Sequence, residues 1–270
     1  QKPVKSAPVV RLDQDWIDKA GKVRAVFERL RPEVARRRKS LPDGDDINID
    51  LLVDHLVDRR CEPNPSARFY TKPIINQRDL AAILLLDISG STGEPSGGRS
   101  LALDVEKQAT IILGQSLAAL GDRFAVCGFH SNGRLQCECP LFKDFDDTWS
   151  ASISRLMTAR PQGSTRIGPA LRHSGHLLSH QPTRQKLILL VTDGKPMDQD
   201  YDPTTRYAQH DIRMACQENI RQGVHTFAIS TDDNSQVDME IMFPGRRFII
   251  LPGIERLPRL LPELYLRLTL

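Results

Sequence analysis

The apolar positions divide the chain near residue 80. Beyond it, short unbroken apolar runs alternate with longer amphipathic stretches. Residues 80–86, LAAILLL, form one such run, the pattern of a strand buried on both faces. Residues 186–192, KLILLVT, and 224–230, VHTFAIS, repeat it. Residues 123–129, RFAVCGF, read as another strand, with 134–142 as a hairpin partner turned by Asn132-Gly133. Between strands, Val105, Ala109, Ile112, Ser116 and Leu120 recur at helical spacing, widened by Leu113 and Leu117. They predict a helix over 101–120, closed by Gly121. Further helices are expected over 148–158, 166–179, 205–222, 238–243 and 257–268, with a strand at 246–251. Strands alternating with helices predict an α/β fold, a doubly wound and mostly parallel central sheet flanked by helices.

Before residue 80 the pattern differs. Trp16, Ala20, Val23, Phe27 and Leu30 give a helical stripe over 13–31, with Asp13 as N-cap and Pro32 as its limit. Residues 41–50, LPDGDDINID, are turn-rich. A short helix over 50–59 with Leu52 and Leu56 inward, and a strand over 68–72 closed by Pro73, complete this part. The expected organisation is an N-terminal helical extension over 1–79 and one domain over 80–270.

Composition changes this picture little. The 270 residues are 40% hydrophobic and 26% charged, an ordinary globular balance. A formal net charge of +3 gives no argument for nucleic acid as a partner. The one dense basic run, residues 36–39, reads as a solvated helix end or linker. No apolar stretch reaches the roughly 18 residues of a membrane span, and no secretory signal precedes the first helix. Five irregularly spaced cysteines suit reduced thiols and a cytoplasmic location. Cys127, Cys137 and Cys139 lack the tight pairs of a zinc site and read as free thiols. The chain begins at Gln1 rather than Met, as expected of a piece of a longer protein.

The chemistry gathers at strand ends, beyond which doubly wound sheets bind their ligands. Asp87, Ser89 and Ser91 follow the first apolar run, and Thr192, Asp193 and Gly194 follow 186–192. Ser230, Thr231, Asp232 and Asp233 follow the third. Gly163, Ser164 and Thr165 lead into the helix over 166–179. Hydroxyl and carboxylate oxygens are hard donors suited to Mg²⁺, with Mn²⁺ or Ca²⁺ as alternatives. Two carboxylates and a few hydroxyls would leave such a cation an open position for a carboxylate from another molecule. Two other readings stay open on these residues alone. Ser89 and Ser91 could cap an ordinary polar turn, or one could be a hydrolase nucleophile. The second needs a placed base, yet no G-x-S-x-G surrounds them and no motif positions His130, His173, His176 or His225. No G-x-x-x-x-G-K-[ST] is present either, so ATP is not an expected ligand of this chain.

The segment DISGS (87–91), with Thr165 in GSTRIG and Asp193 in LVTDGKP, resembles von Willebrand factor A domains and their metal-ion-dependent adhesion site. That resemblance covers about residues 80–268. It implies that Ser89, Ser91 and Thr165 coordinate a cation by their hydroxyls, with Asp87 and Asp193 acting largely through bound waters. Longer stretches, including LDVEKQATIILGQSLAALGDRFAVCGFHSNGR and TRIGPALRHSGHLLSHQPTRQKLILLVTDGKPMD, are similar to the carboxyl-terminal part of the NorD/CbbO group. Members of that group are non-catalytic adaptors of hexameric MoxR-type AAA+ ATPases. CbbO-type members act with CbbQ to release inhibitory sugar phosphates from rubisco; NorD-type members act with NorQ in activating nitric oxide reductase. The resemblance therefore implies a Mg²⁺-dependent adaptor that docks an acidic side chain of a client, with rubisco the first expectation and nitric oxide reductase the alternative. Members are longer than this chain, so the part engaging the ATPase ring is expected outside it. Glu94, Arg99, Arg166 and Lys195 lie near the metal loops in sequence and are expected at the partner-facing rim.

Overall fold

The computed structural model of the chain describes residues 35–43, 46–61, 68–75, 79–93, 95–96, 100–194, 196–202, 204–245 and 247–251. The expected helices over 13–31 and 257–268 lie outside the described residues. The chain divides into two compact units, one within Arg31–Arg78 and one from Asp79 onward.

The smaller unit holds β1 (Ala35–Leu41), β2 (Asp46–Ile47), α1 (Ile49–Cys61) and β3 (Tyr70–Ile75). Its three strands order β1-β3-β2, antiparallel throughout. Asn48 caps α1: its side-chain oxygen accepts from the Asp50 and Leu51 amides at 3.1 and 3.3 Å, satisfying two of the donors a helix start leaves open. Two expectations are corrected here. The basic run 36–39 is strand, with Arg36, Arg37 and Arg38 paired in turn to β3 before the register shifts. Pro73 does not close β3 but lies within it, opposite Arg37; a proline takes a strand position where no ladder donor is required.

The larger unit contains β4 (Leu80–Asp87), the two-residue pair β5 (Pro95–Ser96) and β6 (Ser100–Leu101), α2 (Ala102–Leu120), β7 (Arg123–Ser131), β8 (Cys137–Glu138) and β9 (Leu141–Lys143). It continues through α3 (Trp149–Met157), α4 (Ile167–Ser179), β10 (Gln185–Thr192), α5 (Tyr207–Arg221), β11 (Val224–Ser230), α6 (Gln236–Met242) and β12 (Phe248–Ile250). The main sheet runs β12-β11-β10-β4-β7-β8, with β9 also on β7. Pairings from β12 to β7 are parallel; β8 and β9 add an antiparallel edge. The doubly wound, mostly parallel sheet is thus present.

All eight residues of β4 are buried, because alternate side chains enter different cores. Leu84 and Leu86 join Leu103, Ile112 and Leu113 of α2 and Trp149 and Leu156 of α3. Ile83 and Leu85 join Ile167 and Leu171 of α4, Ile212 of α5 and Met239 of α6. The chain leaves β4 for β7 on one flank and later returns to β10 on the other. The crevice between the carboxyl ends of β4 and β10 is therefore the switch point of the sheet.

Helices α4 and α5 approach closely because glycines face the contact. A Cβ at Gly168 would collide with the Asp211 carboxylate, and one at Gly175 with the Asn219 amide. Asn219 is buried and its Nδ2 donates to the Leu171 carbonyl at 3.0 Å. Gly175→Ala gains up to ~1 kcal/mol of helix propensity. It forces this side chain aside, at ~1–3 kcal/mol for overpacking and ~1–3 kcal/mol for an orphaned buried amide. We expect net destabilisation of about 2 kcal/mol in urea denaturation; an unchanged midpoint would contradict the packing described.

Candidate metal centre

Strand β4 delivers Asp87 to the switch point at 0% exposure. Its carboxylate is held from two sides. The Ser89 amide donates to Oδ1 at 2.9 Å, and the Thr192 hydroxyl, from the end of β10, donates to Oδ2 at 2.8 Å. Ile88 continues the strand, its amide bonded to the Phe129 carbonyl and its side chain in the core. Ser89 therefore points the other way, and a tight turn over Gly90–Gly93 brings Ser91 beside it. The two hydroxyl oxygens stand 3.0 Å apart. Thr92 closes the turn by donating its hydroxyl to the Ser89 carbonyl at 2.6 Å.

The loop before α4 is tied to this turn through backbone. The Gly90 amide donates to the Gly163 carbonyl at 2.9 Å, and the Gln162 amide to the Ile88 carbonyl at 2.9 Å. A Cβ at Gly90 would stand 2.8 Å from the Gly163 oxygen, so only glycine permits the approach. Thr165, two residues on, is buried, and its amide donates to the Met197 carbonyl at 2.6 Å. The segment after β10 thereby joins the same cluster.

Asp193 is also buried, and its charge bears on Asp87. Burial above all, and then the Asp193 carboxylate, push the Asp87 carboxyl upward, against the hydrogen bonds from Ser89 and Thr192. Two buried carboxylates whose charges oppose each other, beside paired hydroxyls, form a cluster of hard-oxygen groups. These residues fit a divalent cation of the Mg²⁺ type. No group of three or more His, Cys, Asp or Glu suited to a metal occurs among the described residues, so a cation here depends on hydroxyl donors. Cys127, Cys137, Cys139 and Cys216 are free thiols.

The structure separates the rim residues. Glu94, Arg99 and Lys195 lie outside the described residues. Arg166 does not sit on an open rim as expected. It is 8% exposed, pairs with Asp198 at 3.1 Å and Asp200 at 3.6 Å, and stacks over the Tyr201 ring at 4.3 Å. Ser131 donates to the other Asp198 oxygen at 2.5 Å. This network fastens the 196–201 segment to the Thr165 loop.

Glu106 was not singled out by its sequence. It lies on α2, fully buried, with Oε1 accepting from the Thr231 hydroxyl at 3.2 Å and Oε2 without a hydrogen-bond partner among the described residues. Burial first, then the charges of Asp87 and Asp193, raise its carboxyl well above the usual range. One signal was available: apolar residues at 109, 111, 112, 113 and 117 surround most of α2. A helix apolar on several faces is enclosed, so a charge within it is buried.

Residues 82–195 match the family model of the von Willebrand factor type A domain. The chain carries a von Willebrand factor type A domain. Within a longer alignment of 245 residues it is 35% identical to Protein NorD of Brucella suis biovar 1, covering 90% of this chain and 38% of that protein. It is 32% identical over 234 residues to Protein NorD of Stutzerimonas stutzeri, covering 86% of this chain and 38% of that protein. The chain thus spans well under half the length of these relatives. Among solved structures, the PilB minor pilin from Streptococcus sanguinis superposes with a TM-score of 0.56 at 16% identity, over 74% of this chain and 64% of that one. At that identity the likeness concerns the fold alone. No helix among the described residues is long and apolar enough to cross a membrane.

Arg166→Ala would strand Asp198, whose side chain is 0% exposed, at a cost of ~3–5 kcal/mol. Burial pushes the Asp198 carboxyl up, but the hydrogen bonds from Ser131 and Arg166 outweigh it and hold it below its ordinary 3.8. A depressed carboxyl stabilises above its unfolded value and loses that contribution as pH falls through the folded value. Urea denaturation should therefore show a gap between wild type and variant that is full near neutrality and narrows on acidification below 3.8.

Proposed function

We propose that this chain is the metal-dependent, client-binding part of a NorD-type adaptor, and that Asp87, Ser89, Ser91, Thr165 and Asp193 hold its cation. The observation carrying this reading is the convergence of the paired Ser89 and Ser91 hydroxyls with two opposed buried carboxylates at the sheet's switch point. Hydroxyls and carboxylates match Mg²⁺, with Mn²⁺ or Ca²⁺ as substitutes. A cation held there would offer an open coordination position to a carboxylate of another protein.

The chain's own residues do the rest. Ser89 and Ser91 present hydroxyls from a turn locked by Thr92, so little ordering cost falls on binding. Asp87 is fixed by Ser89 and Thr192 and balances charge without reaching solvent. The bonds from Gly90 to Gly163 and from Thr165 to Met197 hold the three contributing loops in register. Among the described residues no histidine hydrogen-bonds to Ser89 or Ser91, and neither has the base that a hydrolase nucleophile needs. The reading is a non-catalytic binding module.

In the adaptor we envisage, the domain grips an acidic side chain of the client and presents the client to a hexameric NorQ-like ATPase of the MoxR type. We take nitric oxide reductase as the client, because the Brucella and Stutzerimonas relatives share the name NorD; rubisco is the alternative.

Two measurements test this. At Mg²⁺ about 100 times Kd, wild type should gain ~2.7 kcal/mol of unfolding free energy over its value in EDTA. Asp87→Asn, which keeps an acceptor for the Ser89 amide and relieves repulsion from Asp193, should lose that gain without melting lower in EDTA. Equal responses from both proteins would remove the metal from the account. In the full-length adaptor, Ser89→Ala and Asp193→Ala should each abolish client activation while the ATPase still assembles with it. Normal activation by both variants would overturn the docking role.

A further inference from the structure

Glu106 is a buried carboxylate that neither packing nor the five-residue set explains. Helix α2 carries it to Thr231, the residue that follows β11. Its Oε1 accepts from Thr231, the Thr231 amide donates to the Thr192 carbonyl at 3.0 Å, and the Thr192 hydroxyl donates to Asp87. Glu106 is thus linked through two threonines to the carboxylate at the centre of the site. Its charge acts on both Asp87 and Asp193.

The other oxygen is the informative one. Oε2 is fully enclosed and has no hydrogen-bond partner among the described residues. A buried polar atom left without a partner costs ~1–3 kcal/mol, and a third acid beside two buried ones adds repulsion. Leucine or methionine would fill such a position without either cost. The neighbouring Lys107 does not answer the charge, for its ammonium is spent on the Ala159 carbonyl at 2.8 Å. Among the described residues the position lacks a hydrogen-bond donor, and a cation with its bound water would supply both a donor and a positive charge.

We infer that Glu106 is a positioning residue of the metal centre, its Oε2 accepting a hydrogen bond from a water in the cation's coordination shell and its charge adding to those of Asp87 and Asp193. This rests on the metal reading above. Partners of this kind orient the groups bound to a metal, and their loss typically weakens metal affinity about 10–100-fold. Thr231 holds Glu106 in place, so it belongs to the same device at one remove.

The test is calorimetric titration of the protein with Mn²⁺, paired with melting in EDTA. Glu106→Gln keeps the shape and an acceptor for Thr231 but removes the charge. We expect its Kd for Mn²⁺ to rise about 10–100-fold while its melting point in EDTA holds or increases. Thr231→Val, which removes only the hydroxyl that orients Glu106, should weaken Mn²⁺ binding as well. A merely structural Glu106 would instead lower the melting point in EDTA and leave Kd unchanged. Wild-type affinity in both variants overturns the inference and leaves the metal reading standing. Failure of wild type to bind Mn²⁺ overturns both.

Discussion

A carboxylate placed at the dry end of a central strand sets the terms for everything around it. Asp87 follows seven apolar residues that are buried on both faces of the sheet, so it cannot swing out to water. It must be satisfied in place, by the Ser89 amide and the Thr192 hydroxyl. Those two bonds recruit the next turn and the neighbouring strand. Asp193, one residue beyond Thr192, then arrives as a second negative charge in the same enclosed space. Charge repulsion in a low-dielectric pocket is costly, and this cost is what the proposed cation would relieve.

The surrounding loops serve the same constraint at longer range. Glycine at position 90 lets the Gly163 carbonyl come within hydrogen-bond reach, which brings Thr165 to the site. Arg166, next in the chain, turns away from the site and anchors the 196–201 segment through Asp198. One side of the Thr165 loop therefore faces the chemistry and the other holds the scaffold. Adjacent residues take opposite roles because the backbone between them is pinned, by the Thr165 amide bond to Met197. The loops of the site are thereby held from both sides.

Much of this was legible beforehand. Strands buried on both faces are unbroken apolar runs, so β4, β10 and β11 announced themselves, and the acids and hydroxyls after them marked the sheet's functional edge. Other features were hidden for identifiable reasons. The run at 36–39 is polar, and polarity reports exposure better than conformation; pairing with β3 made it a strand. Arg166 sits beside a candidate ligand, and proximity in sequence says nothing about which way a side chain turns. Glu106 lies 19 residues after Asp87, on a helix that reads as scaffold.

The order of apolar and polar positions was by itself enough to determine an α/β sheet and the edge at which its chemistry collects, because burial on two faces leaves a local imprint. It also offered Asp87, Ser89, Ser91, Thr165 and Asp193 as candidate oxygen donors, whose residue types limit the chemistry open to them. Tertiary structure alone decided that the carboxylates of Asp87, Asp193 and Glu106 share one buried neighbourhood, and that the Arg166 guanidinium is consumed by Asp198. Those outcomes depend on electrostatics between segments distant in the chain. Such interactions act through space, and only the packing of α2, β4 and β10 brings the charges into range.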